Sequence, residues 1–122
     1  MRRYAPVAYR GGLPGYRLRR VLDYIGDNLA EDLTLGQLAA VVDMSPHYFT
    51  ELFKKSTGQT PHQYVLLQRI ERAMKHLTCV DCSIVEVGVE AGFPNPSHFA
   101  RAFRKLVGMS PSRFKSEAQV RR

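Results

Sequence analysis

Two cysteines and a histidine have the types and spacing that could support site chemistry. Cys79 and Cys82 form a C-x-x-C motif, and His76 stands three residues before it. Such groups can bind zinc or take part in thiol–disulfide exchange. A structural zinc site needs four ligands, however, and the sequence has no second cysteine pair. The motif is therefore interpreted as an ordinary turn between helices, and no metal or cofactor is predicted.

Two polar stripes at helical spacing suggest a different chemistry, hydrogen bonding to a polyanion. Segments 46–57 and 96–107 each place phenylalanines at i and i+4 on one side, which is typical of a buried helix face. Polar and basic residues occupy the other side. They are His47, Thr50, Glu51 and Lys54 in the first segment, and Ser97, His98, Arg101, Arg104 and Lys105 in the second.

The positive charge is concentrated in blocks that include these two segments. The net charge is +7; residues 1–20 carry six arginines and no acid, and residues 96–122 carry seven bases and one acid. Residues 21–45 and 78–95, by contrast, contain acids and no lysine or arginine. A basic stripe on particular helices is the footprint expected of nucleic-acid binding.

Several function classes find no support. No set of paired carboxylates, Ser-His-Asp residues or phosphate-loop glycines rises above chance in the sequence, so an enzyme is not predicted. No apolar run approaches the roughly 20 residues of a membrane span. The N-terminus lacks the apolar middle of a signal peptide, and we expect a cytoplasmic protein.

Capping signals divide the chain into helices. "TLGQ" at 34–37 and "SIVE" at 83–86 fit a capping box, and four Ser, Thr or Asn residues stand directly before a proline. Gly58 and Gly108 are placed to end helices in the left-handed conformation. The sequence predicts an all-α fold of seven helices, at about 16–29, 35–42, 46–57, 61–77, 84–91, 96–107 and 111–118.

The helices form two similar units. "SPHYFTELFKKSTGQTP" at 45–61 returns as "PSHFARAFRKLVGMSP" at 96–111. Each of these helices follows a short helix and a tight turn, which makes a helix-turn-helix. We expect Leu35 to share the buried face of the first short helix, and Leu106 that of segment 96–107. The predicted organisation is a basic flexible arm at 1–15, a first subdomain at 16–60, a linker helix at 61–77 and a second subdomain at 78–122.

The linker helix has a length that suits duplex DNA. Seventeen residues at 1.5 Å each span about 25 Å, against about 34 Å for one turn of B-DNA. A helix of that length could hold two recognition helices in successive major grooves. One chain would then do what most helix-turn-helix proteins need a dimer to do.

The segments "TLGQLAAVVDMSPHYFTELFKKSTGQTPHQYVLLQRIERAMKHL" and "SIVEVGVEAGFPNPSHFARAFRKLVGMSPSRFK" resemble the DNA-binding region of the AraC/XylS transcriptional regulators. The resemblance covers about residues 16–115, and "AGF" followed by "HFARAFRK" is its most diagnostic part. It implies a homeodomain-like arrangement whose third and sixth helices enter adjacent major grooves. By position it implies base contacts from His47, Thr50, Glu51, Ser97, His98 and Arg101, and phosphate contacts from Lys54, Lys55, Arg104 and Lys105.

Glu51 departs from the family pattern, because many relatives have arginine there. A carboxylate can accept a hydrogen bond from the cytosine amino group, but it repels phosphate. An ion pair with Lys55, worth about 0.2–0.5 kcal/mol, is the alternative. Most members also carry a separate effector or dimerisation domain of about this length again, so we expect either a stand-alone member or a regulator that has lost or been separated from its sensor, and the linker-like segment before residue 26 favours the second.

Three hypotheses for function follow. The first is a sequence-specific regulator that binds double-stranded DNA as a monomer in the nucleoid, with RNA polymerase as a second candidate partner. The second is a protein-interaction module that uses the acidic residues Asp23, Asp27, Glu31 and Asp32. The third is an unspecific DNA binder derived from a regulator without a sensor. The basic arm either contacts a minor groove or is disordered.

Overall fold

The computed structural model describes residues 12–120, whose regular structure consists of seven α-helices and no strand. The predicted all-α fold is confirmed. Within the described range no helix is long and apolar enough to cross a membrane. The helices are α1 (Gly15–Asp27), α2 (Leu35–Val41), α3 (Pro46–Thr57), α4 (Pro61–Leu77), α5 (Ile84–Glu90), α6 (Pro96–Val107) and α7 (Pro111–Val120).

The helices after α1 begin at the capping signals, whereas α1 follows Pro14 without a side-chain cap. At the start of α2, Thr34 Oγ1 accepts from the amide of Gln37 at 3.1 Å, and the Gln37 side chain accepts from the amide of Thr34 at 2.9 Å. At α5, the hydroxyl of Ser83 accepts from the amide of Glu86 at 3.3 Å. These bonds satisfy amides that have no partner inside the helix.

The chain forms two compact units, and the described part of the first comprises residues 12–28 and 32–65. Its core is built around two phenylalanines of α3, Phe49 and Phe53, which are fully buried with ring centroids 5.5 Å apart. Phe53 also contacts Tyr64 of α4 edge to face, at 5.5 Å. Ile25 and Leu38 bring α1 and α2 into the same buried set. The core therefore fixes one face of α3.

The described part of the second unit comprises residues 29–31 and 66–120. A chain of aromatic contacts crosses its core, from Phe93 to Phe99 at 5.1 Å, to Phe103 at 5.7 Å and to Phe114 of α7 at 5.5 Å. Ile70, Ala73 and Leu77 of α4 pack in the same cluster. One face of α6 is held in this way, as α3 is in the first unit.

The loop at 29–31 lies between two helices of the first unit but packs within the second. Arg69 donates from Nε to the carbonyl of Leu29 at 3.1 Å and from a terminal nitrogen to the carbonyl of Glu31 at 2.8 Å. Gly92 touches the same loop, and a Cβ there would collide with the Leu29 carbonyl oxygen. Gly92 has φ of +103°, so two constraints favour glycine at this position.

The predicted flexible arm at 1–15 extends too far at its C-terminal end. Residues 1–11 lie outside the described range. Residues 12–14 are buried, and the Leu13 amide donates to Ser56 Oγ of α3 at 2.8 Å. Helix α1 then begins at Gly15, so residues 12–15 belong to the first unit.

The prediction that residues 61–77 form a linker separate from both subdomains also differs from the structure. Helix α4 has the predicted bounds, but residues 61–65 belong to the first unit and residues 66–77 to the second. Two predictions of burial were wrong, since Leu35 is 41% exposed and Leu106 is 40% exposed. Position 106 corresponds to Ser56 across the repeat, and in the first unit residues 12–14 cover that position.

Candidate nucleic-acid interface

Helix α3 presents the first polar stripe because its other face is buried. The hydroxyl of Ser45 accepts from the amide of Tyr48 at 3.3 Å and Pro46 occupies the first turn, which fixes the helix start. Phe49, Leu52 and Phe53 then point into the core.

The predicted residues of the first stripe come together on α3. An open groove of about 420 Å³ is lined by Thr50, Glu51, Lys54, Lys55 and the N-cap residue of α4, Thr60. The hydroxyl of Thr50 donates to the carbonyl of Pro46 at 2.8 Å, so its oxygen is left to accept hydrogen bonds. The groove thus combines two lysine ammonium groups with oxygen acceptors.

Glu51 has a partner that the sequence analysis did not consider. Its Oε2 lies 3.7 Å from Nε2 of His47, one helical turn earlier. Of the two alternatives for Glu51, the ion pair with Lys55 is not formed within the described structure. Both side chains are exposed, at 89% for His47 and 59% for Glu51, so the pair is worth well under about 1 kcal/mol. Either residue can leave the other to meet a ligand.

The second stripe is positioned in the same way on α6. The side-chain oxygen of Asn95 accepts from the amide of His98 at 2.8 Å, and Pro96 follows it in the first turn. Phe99 and Phe103 are buried on the opposite face. The exposed predicted residues of this stripe are Ser97, Arg101, Arg104 and Lys105.

His98 differs from the other residues of this stripe, because its ring is held in place. The side chain is half-buried, and its ring centroid lies 5.5 Å from that of Phe93. Among the described residues, the buried Nδ1 atom finds no hydrogen-bond partner. The other ring nitrogen, Nε2, is therefore the one available to solvent or a ligand.

The two stripes differ in charge. The first carries Lys54 and Lys55 together with the carboxylate of Glu51, whereas the second carries Arg101, Arg104 and Lys105 with no acid. The two pairs of bases that end the stripes lie in the last turns of α3 and α6. There they also interact favourably with the negative end of the helix dipole.

Two further residues near the stripes were not predicted from the sequence. Tyr48 is 53% exposed at the start of α3 and corresponds to His98 across the 50-residue repeat. Phe93 is the platform under the His98 ring. The repeat offset could have identified Tyr48, but no sequence signal indicates the contact of Phe93 with His98.

The cysteines lie in the turn between α4 and α5. Both are free thiols; Cys79 is exposed and Cys82 is partly buried. Within residues 12–120 no group of three or more His, Cys, Asp or Glu side chains could hold a metal ion.

A family model described as a helix-turn-helix domain matches residues 38–117. Among curated proteins, the chain is 37% identical over 100 residues to the probable transcriptional regulator LumQ of Photobacterium leiognathi, which covers 80% of this chain and 40% of that protein. It is 31% identical over 100 residues to the bifunctional transcriptional activator/DNA repair enzyme AdaA of Bacillus subtilis, covering 82% of this chain and 47% of that protein. The chain thus spans less than half the length of these relatives.

Solved structures share the fold. The DNA-binding domain of the global transcriptional factor AdpA, in complex with a target DNA, matches with a TM-score of 0.83 and 31% identity, covering 87% of this chain and 96% of that one. A transcriptional regulator from Chromobacterium violaceum, described among AraC-type DNA-binding domain-containing proteins, matches with a TM-score of 0.77 and 27% identity, covering 84% and 92%.

Proposed function

Because the chain belongs to the AraC-type helix-turn-helix family, we propose that it is a sequence-specific, double-stranded DNA-binding transcriptional regulator. Helices α3 and α6 read two successive major grooves. The observation that carries the proposal is that both helices bury the same phenylalanine face and leave a polar stripe in solvent. The 17-residue helix α4 joins the two units, with a length of about 25 Å at 1.5 Å per residue.

The base-reading role falls to the first three positions of each stripe. They are His47, Thr50 and Glu51 on α3, and Ser97, His98 and Arg101 on α6, and we add Tyr48 to the first set. Arg101 is the strongest reader, since a guanidinium can bond O6 and N7 of guanine together for about 1–3 kcal/mol of discrimination. Its exposed position on α6 supports this role.

His98 donates a hydrogen bond to an acceptor on a base edge. The Nδ1 atom is buried without a partner, so Nε2 is the ring nitrogen left to meet a base, and a neutral imidazole can donate there in one of its two tautomers. The proton then lies on Nε2, which donates to purine N7, guanine O6 or thymine O4. Phe93 is a positioning residue, because its ring holds the imidazole in this orientation.

Lys54, Lys55, Arg104 and Lys105 contact phosphates, which position the protein without specifying sequence. The chain acts as a monomer in the cytoplasm, associated with the nucleoid, and RNA polymerase is a second candidate partner. It has no enzymatic role, although one relative carries a name that includes DNA repair.

The test is selection of bound duplexes from a random DNA pool at about 150 mM salt, which suppresses purely electrostatic binding. The expected result is a two-part motif with its halves about ten base pairs apart. Absence of any enriched motif, with binding that vanishes as salt rises, would contradict the proposal and favour an unspecific binder.

Two substitutions on α6 separate reading from positioning. Arg101→Ala should relax preference at one base pair by about 1–3 kcal/mol. Arg104→Ala, its matched control one turn later, should weaken all sequences alike and reduce the salt slope by about one. Unchanged sequence preference in Arg101→Ala would show that this residue is not a reader.

A further inference from the structure

The C-x-x-C turn has a geometry that allows its two thiols to be joined. The amide of Cys82 donates to the carbonyl of Cys79 at 3.4 Å, which closes a four-residue turn. Such a turn brings its first and last Cα atoms within about 7 Å. A disulfide requires Cα atoms about 4.4–6.8 Å apart, so a bridge lies within reach when the two ends of the turn are drawn together.

Small molecules can reach the Cys79 thiol. Cys79 is exposed, and both cysteines line an open groove of about 380 Å³. The ionisable groups that line this groove are Lys75, His76, Glu86 and Glu90, and His76 Nδ1 lies 3.9 Å from a carboxylate oxygen of Glu90. No core residue must move before a soluble disulfide meets the exposed thiol.

The turn is tied to the second recognition helix through α7. Lys115 donates from Nζ to the carbonyl of Cys82 at 2.8 Å, and Gln119 donates to the carbonyl of Cys79 at 3.5 Å. Phe114 of α7 then packs edge to face on Phe103 of α6, with centroids 5.5 Å apart. A rearrangement of the turn that moves these carbonyls therefore disturbs the helix that supports α6.

We propose that Cys79 and Cys82 form a thiol–disulfide exchange site for low-molecular-weight disulfides, and that oxidation weakens DNA binding by α6. The effect on DNA rests on the proposed function, whereas the exchange reaction does not. Cytosolic disulfides, where they occur, are usually transient and often sense redox state, which fits a pair that is exposed and closely spaced.

The reaction takes two exchange steps. The Cys79 thiolate attacks one sulfur of glutathione disulfide; a mixed disulfide forms, the original S–S bond breaks and one glutathione leaves. The Cys82 thiolate then attacks the Cys79 sulfur and releases the second glutathione. The protein gives up two electrons and two thiol protons, which reduce one glutathione disulfide to two thiols.

The experiment incubates the full chain with glutathione disulfide and follows mass and DNA affinity together. The expected product is a monomer lighter by two hydrogen atoms, with a peptide map that links residues 79 and 82. Its affinity for the selected duplex should fall about five- to tenfold, within the usual range of coupling between sites, and return on reduction. Cys79→Ser is the matched control, because it removes one thiol at an exposed position. Its affinity for DNA should not change under the same treatment.

Other outcomes overturn the inference. If the reaction stops at a glutathione adduct, or if the disulfide joins two chains, the protein has no intramolecular exchange site. A 79–82 disulfide that leaves DNA affinity unchanged removes the link to α6. If the reduced protein selects no DNA motif, the proposed function fails, while the mass measurement still decides the exchange reaction. Lys115→Met should form the disulfide normally but lose less affinity, since it removes the shorter of the two hydrogen bonds that join the turn to α7.

Discussion

The two helix-turn-helix units share the hydrogen bonds of their turns but present different surfaces to a ligand. In the turn of the first unit, the amides of Asp43 and Met44 donate to the carbonyls of Ala40 and Ala39 at 3.1 and 3.0 Å. In the second, the equivalent amides, from Gly92 and Phe93, donate to Val89 and Gly88 at 3.0 Å each. The duplicated part is thus the frame that holds the recognition helix.

The surfaces differ at corresponding positions of the two recognition helices. Glu51 of α3 corresponds to Arg101 of α6, and exposed Tyr48 corresponds to His98, whose ring is held by Phe93. The second unit therefore offers more positive charge and a better fixed side chain than the first. A common frame with divergent stripes is what two different half-sites would require.

The largest expected effects test whether the two cores are equivalent. Phe53→Ala and Phe103→Ala each remove a fully buried ring, and each should lower the free energy of unfolding of its own unit by about 3–5 kcal/mol. Amide hydrogen exchange, measured unit by unit, reports where protection is lost. A much smaller loss for one variant would show that the two cores are not equivalent.

The next comparison concerns the left-handed residue in each turn. Gly92 and Asp43 occupy corresponding positions, with φ of +103° and +56°. Gly92→Ala combines backbone strain with a collision against the Leu29 carbonyl, and should cost about 2–4 kcal/mol in thermal or denaturant unfolding. Asp43→Ala is the matched control and should cost about 1 kcal/mol. Equal costs would mean that the Leu29 loop yields easily.

A smaller effect is expected from His98 and Tyr48, corresponding base-reading residues that differ in how firmly their side chains are held. His98→Leu should remove a preference for an acceptor at one base pair, worth about 1–2 kcal/mol in competition binding with single-position duplexes. His98→Gln keeps an amide donor and should retain part of that preference. Tyr48→Leu, at the corresponding position of α3, should cost less than half as much. If His98→Leu and His98→Gln lose the same amount of base preference, the proposed role of His98 as a hydrogen-bond donor is wrong.

The smallest effect addresses the difference in charge. Glu51→Gln removes the carboxylate from the first stripe, and should tighten binding to duplex DNA about two- to fivefold at low salt. Glu51→Asp keeps the carboxylate and serves as the control for a change at this position of α3. Glu51 is also a proposed base reader, so Glu51→Gln should relax the preference at one base pair, and unchanged selectivity would show that this residue acts only through its charge.

Most of the fold could be predicted because its signals are local. Ser45 and Asn95 each precede a proline and cap a helix in the structure, as their sequence positions indicate. Gly58 and Gly108 end α3 and α6 with φ of +78° and +95°. The paired phenylalanines are buried as the helical period requires.

From the sequence, the candidate site could be predicted only as two polar stripes, without the pairing of their side chains. Helical spacing placed Thr50, Glu51 and Lys54 on one side of α3, and the structure brings them into one groove. The same spacing allows Glu51 to pair with a residue four positions before or after it. The structure places His47 rather than Lys55 beside it, a choice that depends on side-chain conformation.

The sequence by itself determined the seven helices, their caps, the duplication and the positions of the charges, because each depends on residues a few positions apart. Only the tertiary structure decided which side chains the folded chain covers. It buried residues 12–14 against α3, left Leu106 exposed on α6 and turned the His98 ring onto Phe93. Burial depends on what packs over a residue in three dimensions, and helical periodicity does not specify that.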